Sequence, residues 1–426
     1  MKEHRRKQKN IAFYGHFNST NFGNESTLQA ILYHLRRFYP DAEVTCICTF
    51  PETTVATHHR IETIPLSEAF FKSWVPQNRL SKALRRICVG LPSEPLRWVR
   101  GLMRLMHTDM LIVPGTGLLT DAYGLLSWGP YNLLKWSLIA KVCRCKILFV
   151  SVGAGPIHGT LGRYLVKLAL SLGDFRSYRD ESTMLYLRGI GFHSDNDRIY
   201  PDLVFSLPED LIPHQHTKKR RRAVVGLGVM EYAGISYGRR CDGIYLAYLQ
   251  NLVTVVKWLL AREYDVRLLS GDLGDIQARQ EFTALLRQQL SVFDEAHIID
   301  EPTCSVEDIL SQIVATDFVV ATRFHNVVMA LICNKPVISI SFHHKCESLM
   351  NAMGLAEYCL DINDLHADRL MEKICDLEKN ADKIKSLISE KTKAAREALA
   401  EQYNFIFNDV CPRPCGDNVQ NLSQCA

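Results

Sequence analysis

Residues 317–345 read DFVVATRFHNVVMALICNKPVISISFHHK. Asp317–Ala321 is a short apolar run, a helical segment opens near Phe324 with Thr322 placed to cap it, and Pro336 opens a second apolar run that ends at Ser341. A strand, a helix and a strand in so short a span make a crossover unit, and such units join parallel strands. Both strand runs are continuous in Val, Ile and Ala rather than alternating with polar residues, which predicts a sheet covered on both faces. Each run then passes straight into cations. Arg323 and His325 follow the first, and His343, His344 and Lys345 follow the second.

The same alternation extends in both directions. Upstream, AVVGLGV, a helix near Ile244–Ala261, DVRLLS, a helix near Ile276–Leu290, AHIID and a helix over Val306–Val314 complete one strand–helix series; the charged stretch Asp368–Ala400 follows as a helix. An earlier series runs through IAFYG, a helix over Glu25–Phe38 with Leu28, Ile31, Leu32 and Leu35 on one face, then VTCICTF, DMLIVPG, KILFVSVG and RIYPDLVF. Between the two, residues 208–222 carry prolines and a basic run and read as a linker. The expected architecture is α/β: two doubly wound Rossmann-like domains, residues 1–207 and 223–401, facing a cleft in the GT-B-like arrangement. Residues 402–426 are expected to be a disordered tail.

With 426 residues, 47% of them hydrophobic and 23% charged, the chain fits a soluble two-domain protein. The formal net charge of +4 marks no nucleic-acid binder, although basic residues cluster at Lys2–Lys9, Arg79–Arg104 and Lys218–Arg222. The fourteen cysteines sit mostly in apolar segments without zinc spacing, so reduced, buried thiols and no metal are expected. The charged amino terminus lacks the apolar stretch of a signal peptide, and no run of roughly 18 uncharged apolar residues is present. A cytoplasmic location is expected.

Ligands of doubly wound sheets bind beyond the carboxyl ends of the strands. There, the start of the helix at Phe324 offers free N–H groups, Arg323 a fork for carboxylate or phosphate, and His325 a titratable group near neutral pH. Lys345 and His344 border the same crevice if the two strands are neighbours. In the first domain, the strand exits are rich in glycine and small polar residues, with Gly23 and Asn24 after the first, Gly115 and Gly117 after another, and Gly153 in SVGAG. Asp180 is expected to cap the helix through Leu187 and to leave Arg179 at the helix mouth; Asp202 reads equally as a turn residue or an acceptor contact. Alternatively, Arg323 pairs with a structural acid.

In this order NFGNES (21–26), PGTGLLTD (114–121), SVGAGP (151–156), SYRDEST (177–183), YPDLVFSL (200–207) and TRFHNVVMAL followed by PVISISFHHK resemble the polysaccharide pyruvyl transferase family. One departure is Thr116, which stands where the family usually has the middle of three glycines. The resemblance implies phosphoenolpyruvate as donor substrate with no further cofactor, and a sugar, glycan or lipid-linked oligosaccharide acceptor that receives a pyruvate ketal. It also implies Arg179, Arg323 and His325 as donor-binding or catalytic residues with Lys345 as a helper. Two other readings use the same scaffold. One is a GT-B glycosyltransferase with a nucleotide-sugar donor, in which Glu347 or Glu357 grips the ribose; the other is a non-catalytic glycan-binding protein.

The stretch Pro95–His107 gathers Leu96, Val99, Leu102, Met103 and Met106 on one side of a helix, with Arg97, Arg100 and Arg104 largely elsewhere. Such a helix either lies on an anionic membrane at the inner face or packs on the sheet with a solvated basic side.

Overall fold

The computed structural model describes residues 8–17, 21–49, 61–66, 81, 86–120, 129–213, 222–232, 242–289 and 297–411. Two parallel sheets organise them. The first contains β1 (Asn10–Tyr14), β2 (Glu43–Cys48), β3 (Ile61–Pro65), β4 (Met110–Pro114), β5 (Lys146–Val152), β6 (Phe175–Tyr178) and β7 (Arg198–Ile199), in the order β3-β2-β1-β4-β5-β6-β7. The second contains β8 (Val224–Gly228), β9 (Asp265–Leu269), β10 (Ile298–Ile299), β11 (Phe318–Ala321), β12 (Val337–Ser341) and β13 (Cys359–Asp361), in the order β10-β9-β8-β11-β12-β13. In each sheet the order reverses direction beside the first strand, at β1/β4 and β8/β11, and this is where a doubly wound fold leaves its crevice. The central strands are buried along their whole length, as their continuous apolar runs require.

Helices of the first domain are α1 (Phe22–Phe38), α2 (Leu91–Leu105), α3 (Gly129–Val142), α4 (Thr160–Ser171) and α5 (Glu181–Gly189); those of the second are α6 (Asp242–Ala261), α7 (Ile276–Gln289), α8 (Val306–Val314), α9 (Phe324–Ile332) and α10 (His344–Ala352). The α8 start is a capping box, with Ser305 Oγ accepting from Asp308 N and the Asp308 carboxylate accepting from Ser305 N. Gly243–Ala261 is long and apolar enough to cross a membrane by length and composition. It carries Lys257, and Tyr248, Leu249, Leu252, Val253, Val256 and Leu259 place one side of it in the core.

Several sequence expectations need correction. RIYPDLVF is not one strand: only Arg198–Ile199 pairs, and after Pro201 the chain turns into a 3₁₀ helix, Leu203–Ser206, capped by the Asp202 carboxylate on Val204 N at 3.0 Å. Proline lacks the N–H that would continue the ladder. The charged helical stretch is two helices, α11 (Ala367–Lys379) and α12 (Ala381–Asn404). α12 leaves the second domain and packs on the 3₁₀ turn of the first. Residues 402–411 are therefore ordered, not tail: Ile406, Phe407 and Cys411 are buried, and Tyr39 donates its hydroxyl to the Cys411 carbonyl at 2.5 Å. Gln402, fully buried, accepts from Ser177 Oγ at 2.5 Å and donates to Ser151 Oγ at 3.1 Å, which ties the end of β5 to β6. Residues 412–426 and most of the linker, 214–221, lie outside the described residues.

Candidate active site

The two domains meet at the start of α1. Phe22 N donates to Gly271 O at 3.2 Å, and Asn21 Nδ2 donates to Asp272 Oδ2 at 3.0 Å. The same Asn21 caps α1, its Oδ1 accepting from Gly23 N at 3.0 Å and Asn24 N at 3.3 Å. Gly23 then sits so near the opposite domain that a Cβ on it would fall 1.9 Å from Cγ and Nδ1 of His325. Only glycine allows that approach, which is why the first turn of one domain forms a wall of the imidazole's pocket in the other.

β11 and β12 are adjacent, pairing Val319 with Val337 and Ala321 with Ser339. Their exits therefore border one crevice, as the sequence predicts. Helix α9 starts with Arg323 at its cap position and no side-chain cap; Thr322 is not the cap, its hydroxyl being hydrogen-bonded to Tyr248 at 2.9 Å. Arg323 does not reach into the crevice as an open fork. Its Nε and Nη2 donate to the two carboxylate oxygens of Asp275 at 2.8 and 2.6 Å. Asp275 is 0% exposed and also accepts from Glu231 N at 3.1 Å. The alternative of a structural acid partner is the one realised for Arg323, and burial, which alone would lower its pKa, is outweighed by that carboxylate.

The cations that do line the crevice are Arg179 and Lys345. They approach the Phe324 ring, with the guanidinium carbon 4.9 Å and the ammonium 5.4 Å from its centroid. Gly153 backs the guanidinium, since a Cβ there would lie 2.5 Å from Arg179 Cζ. Asp180 caps α5 by accepting from Thr183 N at 2.6 Å and lies 3.3 Å from Arg179 Nε; Asp202, besides capping its own turn, lies 3.8 Å from Arg179 Nη1. These residues and Phe324 form one end of a cavity of about 690 Å³ that continues between α5, α10 and α12, past Leu185, Ser348 and Met353. Across it, Ser348 donates to Ser182 at 3.0 Å, a second polar contact between the domains.

Burial and like charge set the titration of this cluster. Burial pushes the His325 pKa well below the ordinary imidazole value, and Lys345, Arg179 and Arg323 push it further down. Its Nε2 is sealed from solvent and has no hydrogen-bond partner. Burial, then Arg179, lowers Lys345 to about 8. Burial raises the Asp202 carboxyl against the pull of Arg179. For Asp180 burial also acts upward, but Arg179 and the Ser182 and Thr183 hydrogen bonds prevail and the net shift is down. Excess positive charge, a neutral imidazole and an unsatisfied buried nitrogen describe a hollow suited to a small, multiply charged anion.

His344 stands at the first position of α10, beside His343, whose ring centroid is 4.1 Å away. His343 is the residue the sequence reading passed over: its Nδ1 accepts from Lys345 N and so caps the helix. Burial and His344 hold it at about 3. Gly115 and Gly117 lie deeper, Gly115 against the Ser151 carbonyl and Gly117 with φ of 71°. Between them the Thr116 hydroxyl accepts from His16 N at 3.3 Å, so this departure from a run of glycines pins the β1 exit loop rather than opening a gap. Asp275 was also unassigned; its signal lay in the Gly- and Asp-rich exit of β9, Gly271–Asp275. Asp121 lies outside the described residues. Among the described residues no group of three or more His, Cys, Asp or Glu side chains has the arrangement of a metal site, and the cysteines are free thiols.

Solved structures share this fold. The S. aureus MnaA–UDP co-structure aligns with a TM-score of 0.58 at 12% identity over 96% of this chain and 99% of that one. A putative UDP-N-acetylglucosamine 2-epimerase from Listeria monocytogenes aligns with 0.59 at 10% over 95% and 99%. Anabaena Alr3699/HepE in complex with UDP aligns with 0.54 at 13% over 93% and 97%. At these identities the likeness shows the two-domain, GT-B-like fold. In sequence the chain is 19% identical over 406 residues to the amylovoran biosynthesis protein AmsJ of Erwinia amylovora, covering 89% of this chain and 94% of that protein. Residues 21–344, which run from the α1 cap to the start of α10, match the family model described as polysaccharide pyruvyl transferase. The chain belongs to the polysaccharide pyruvyl transferase family.

Proposed function

We propose that this chain moves the enolpyruvyl group of phosphoenolpyruvate onto two hydroxyls of a sugar, forming a pyruvate ketal in the biosynthesis of a surface or exported polysaccharide. The observation that carries the reading is the crowding of Arg179, Lys345 and Arg323 around the buried, unpartnered His325 Nε2. A donor with a carboxylate and a phosphate supplies the negative charge that this cluster lacks. Arg179 offers bidentate geometry for one anionic group and Lys345 a point charge for the other. Arg323, held by Asp275, contributes field rather than a direct grip.

In this reading the donor's methylene carbon takes a proton and positive charge develops at C2. A sugar hydroxyl attacks C2 and loses its proton. The C2–phosphate bond then breaks, phosphate departs, and the second hydroxyl attacks the regenerated cation to close the ketal. The two hydroxyl protons balance the one gained by the methylene and the one carried off by phosphate. His325 is the proton carrier. It is neutral while the hollow holds only cations, and the arriving anion raises its pKa toward the working range. Arg179 and Lys345 stabilise the departing phosphate. The cavity beyond Arg179, with Ser182 and Ser348 on opposite walls, is the place for the acceptor.

The nucleotide-sugar reading has less support. Glu357 pairs with Lys373 at 3.9 Å and is mostly exposed, and Glu347 accepts from Ser341 Oγ at 3.2 Å, so neither stands out as a ribose grip. Incubation with isotopically labelled phosphoenolpyruvate and a glycan panel, followed by mass spectrometry, should yield an acceptor bearing a labelled ketal with release of phosphate. Release of phosphate without any ketal on the panel's diols, or no consumption of donor, would count against the reading.

Lys345 gives the reaction a pH signature. A group at about 8 is charged below that pH and loses its charge above it. Bound anion raises its pKa, so binding above pH 8 must take up a proton. KM for phosphoenolpyruvate should be flat from pH 6.5 to about 8 and then rise by about tenfold per pH unit. Lys345→Gln should raise KM at neutral pH and abolish the bend; a wild-type profile in this variant would remove Lys345 from the donor site.

A further inference from the structure

We propose that α2 and the surface around it dock on a bilayer rich in anionic phospholipid. The helix has two apolar sides. Gly101 and Leu105 are buried, Trp98 and Leu102 pack on the first domain's core, and Trp98 Nε1 donates to Tyr131 at 3.1 Å. That side accounts for the folding role of the helix. The other side, Leu96, Val99, Met103 and then Met106, is exposed at 44, 51, 58 and 57%. These residues recur three or four apart and form one stripe along the helix. A helix of a monomer places polar residues there.

The stripe is edged by charge of one sign. Arg97, Arg100 and Arg104 share a hollow with Lys135 on one flank, and Arg144 shares another with Met106 at the carboxyl end. Glu94 is the single acid of the helix and is engaged by Arg97, by Tyr131 at 2.9 Å and by Lys135 at 3.5 Å. An antiparallel second copy laid stripe on stripe would set the arginine flank against itself with no acid to neutralise it. A negatively charged bilayer satisfies both features, the apolar stripe entering the headgroup–acyl boundary and the arginines meeting phosphates. The orientation also suits a membrane-borne acceptor. α3 runs back from the β4 exit to the start of β5, and Glu94 and Tyr131 place the first turn of α2 beside the first turn of α3, at the end of the sheet where the crevice opens.

The test is flotation of the full chain with vesicles of phosphatidylglycerol or of phosphatidylcholine alone. The wild-type protein should float with the first at low salt, be released at high salt, and stay behind with the second. Each arginine is worth about fivefold in partitioning, so Arg100→Glu with Arg104→Glu should reduce binding by more than tenfold. Val99→Asp with Met103→Asp should abolish it, with an unchanged melting temperature because both positions are exposed. If the arginine variant melts early, the Val99/Met103 variant decides. No flotation of wild type, equal binding to both vesicles, or a solution dimer dissociated by the Val99/Met103 variant would each overturn the proposal.

Discussion

His325→Ala should lower kcat by about 10²- to 10⁴-fold and change KM for phosphoenolpyruvate by only a few-fold. The asymmetry follows from the geometry. Donor charge is held by Arg179 and Lys345, which remain in the variant, whereas the imidazole is the one titratable group with a sealed, unpartnered nitrogen at the centre of the cluster. Removing it takes away the proton carrier but also one contributor to crowding, so affinity does not collapse. Steady-state kinetics with varied donor separate the two parameters. Wild-type kcat in the variant would take His325 out of the chemistry. A loss confined to KM would make it a binding residue.

Arg323→Ala should act chiefly on stability. Asp275 is fully buried and keeps one carboxylate oxygen on Glu231 N and both on Arg323. Removing the guanidinium strands that charge, and breaking a buried pair costs about 3–5 kcal/mol. Asp275→Ala should cost a similar amount, and the two together much less than their sum, because the double variant strands nothing. Urea denaturation of the four proteins gives the cycle. The alternative, in which Arg323 grips the donor, predicts a nearly wild-type midpoint for Arg323→Ala and a large loss of donor affinity. Additive single costs would also contradict the pairing.

What could be read in advance follows the range of the interactions. Val306–Val314 is found with its sequence-derived ends because its cap is local, Ser305 and Asp308 three residues apart. The β11–α9–β12 unit was legible for the same reason, and with it the juxtaposition of Arg323, His325 and Lys345 on neighbouring exits. The partner of Arg323 was not, since Asp275 lies on a different strand exit. β6 was missed because FRSY carries an arginine inside a buried strand; Arg176 is tolerated there by Asp197 at 2.7 Å and by the Gly173 and Leu170 carbonyls. Residues 402–411 read as tail because nothing near them in sequence demands burial; their core lies across the chain, where Phe407 meets Tyr39 and Phe38. The close approach of Gly23 to His325 was likewise invisible, because it depends on how the two domains face each other.

The account rests on donor identity, and calorimetric titration of the wild-type protein with phosphoenolpyruvate and, separately, with UDP addresses it most directly. Saturable binding of phosphoenolpyruvate is expected, weakened at least tenfold in Arg179→Ala and in Lys345→Gln, with no comparable heat from UDP. Saturable binding of UDP together with no detectable binding of phosphoenolpyruvate would contradict it.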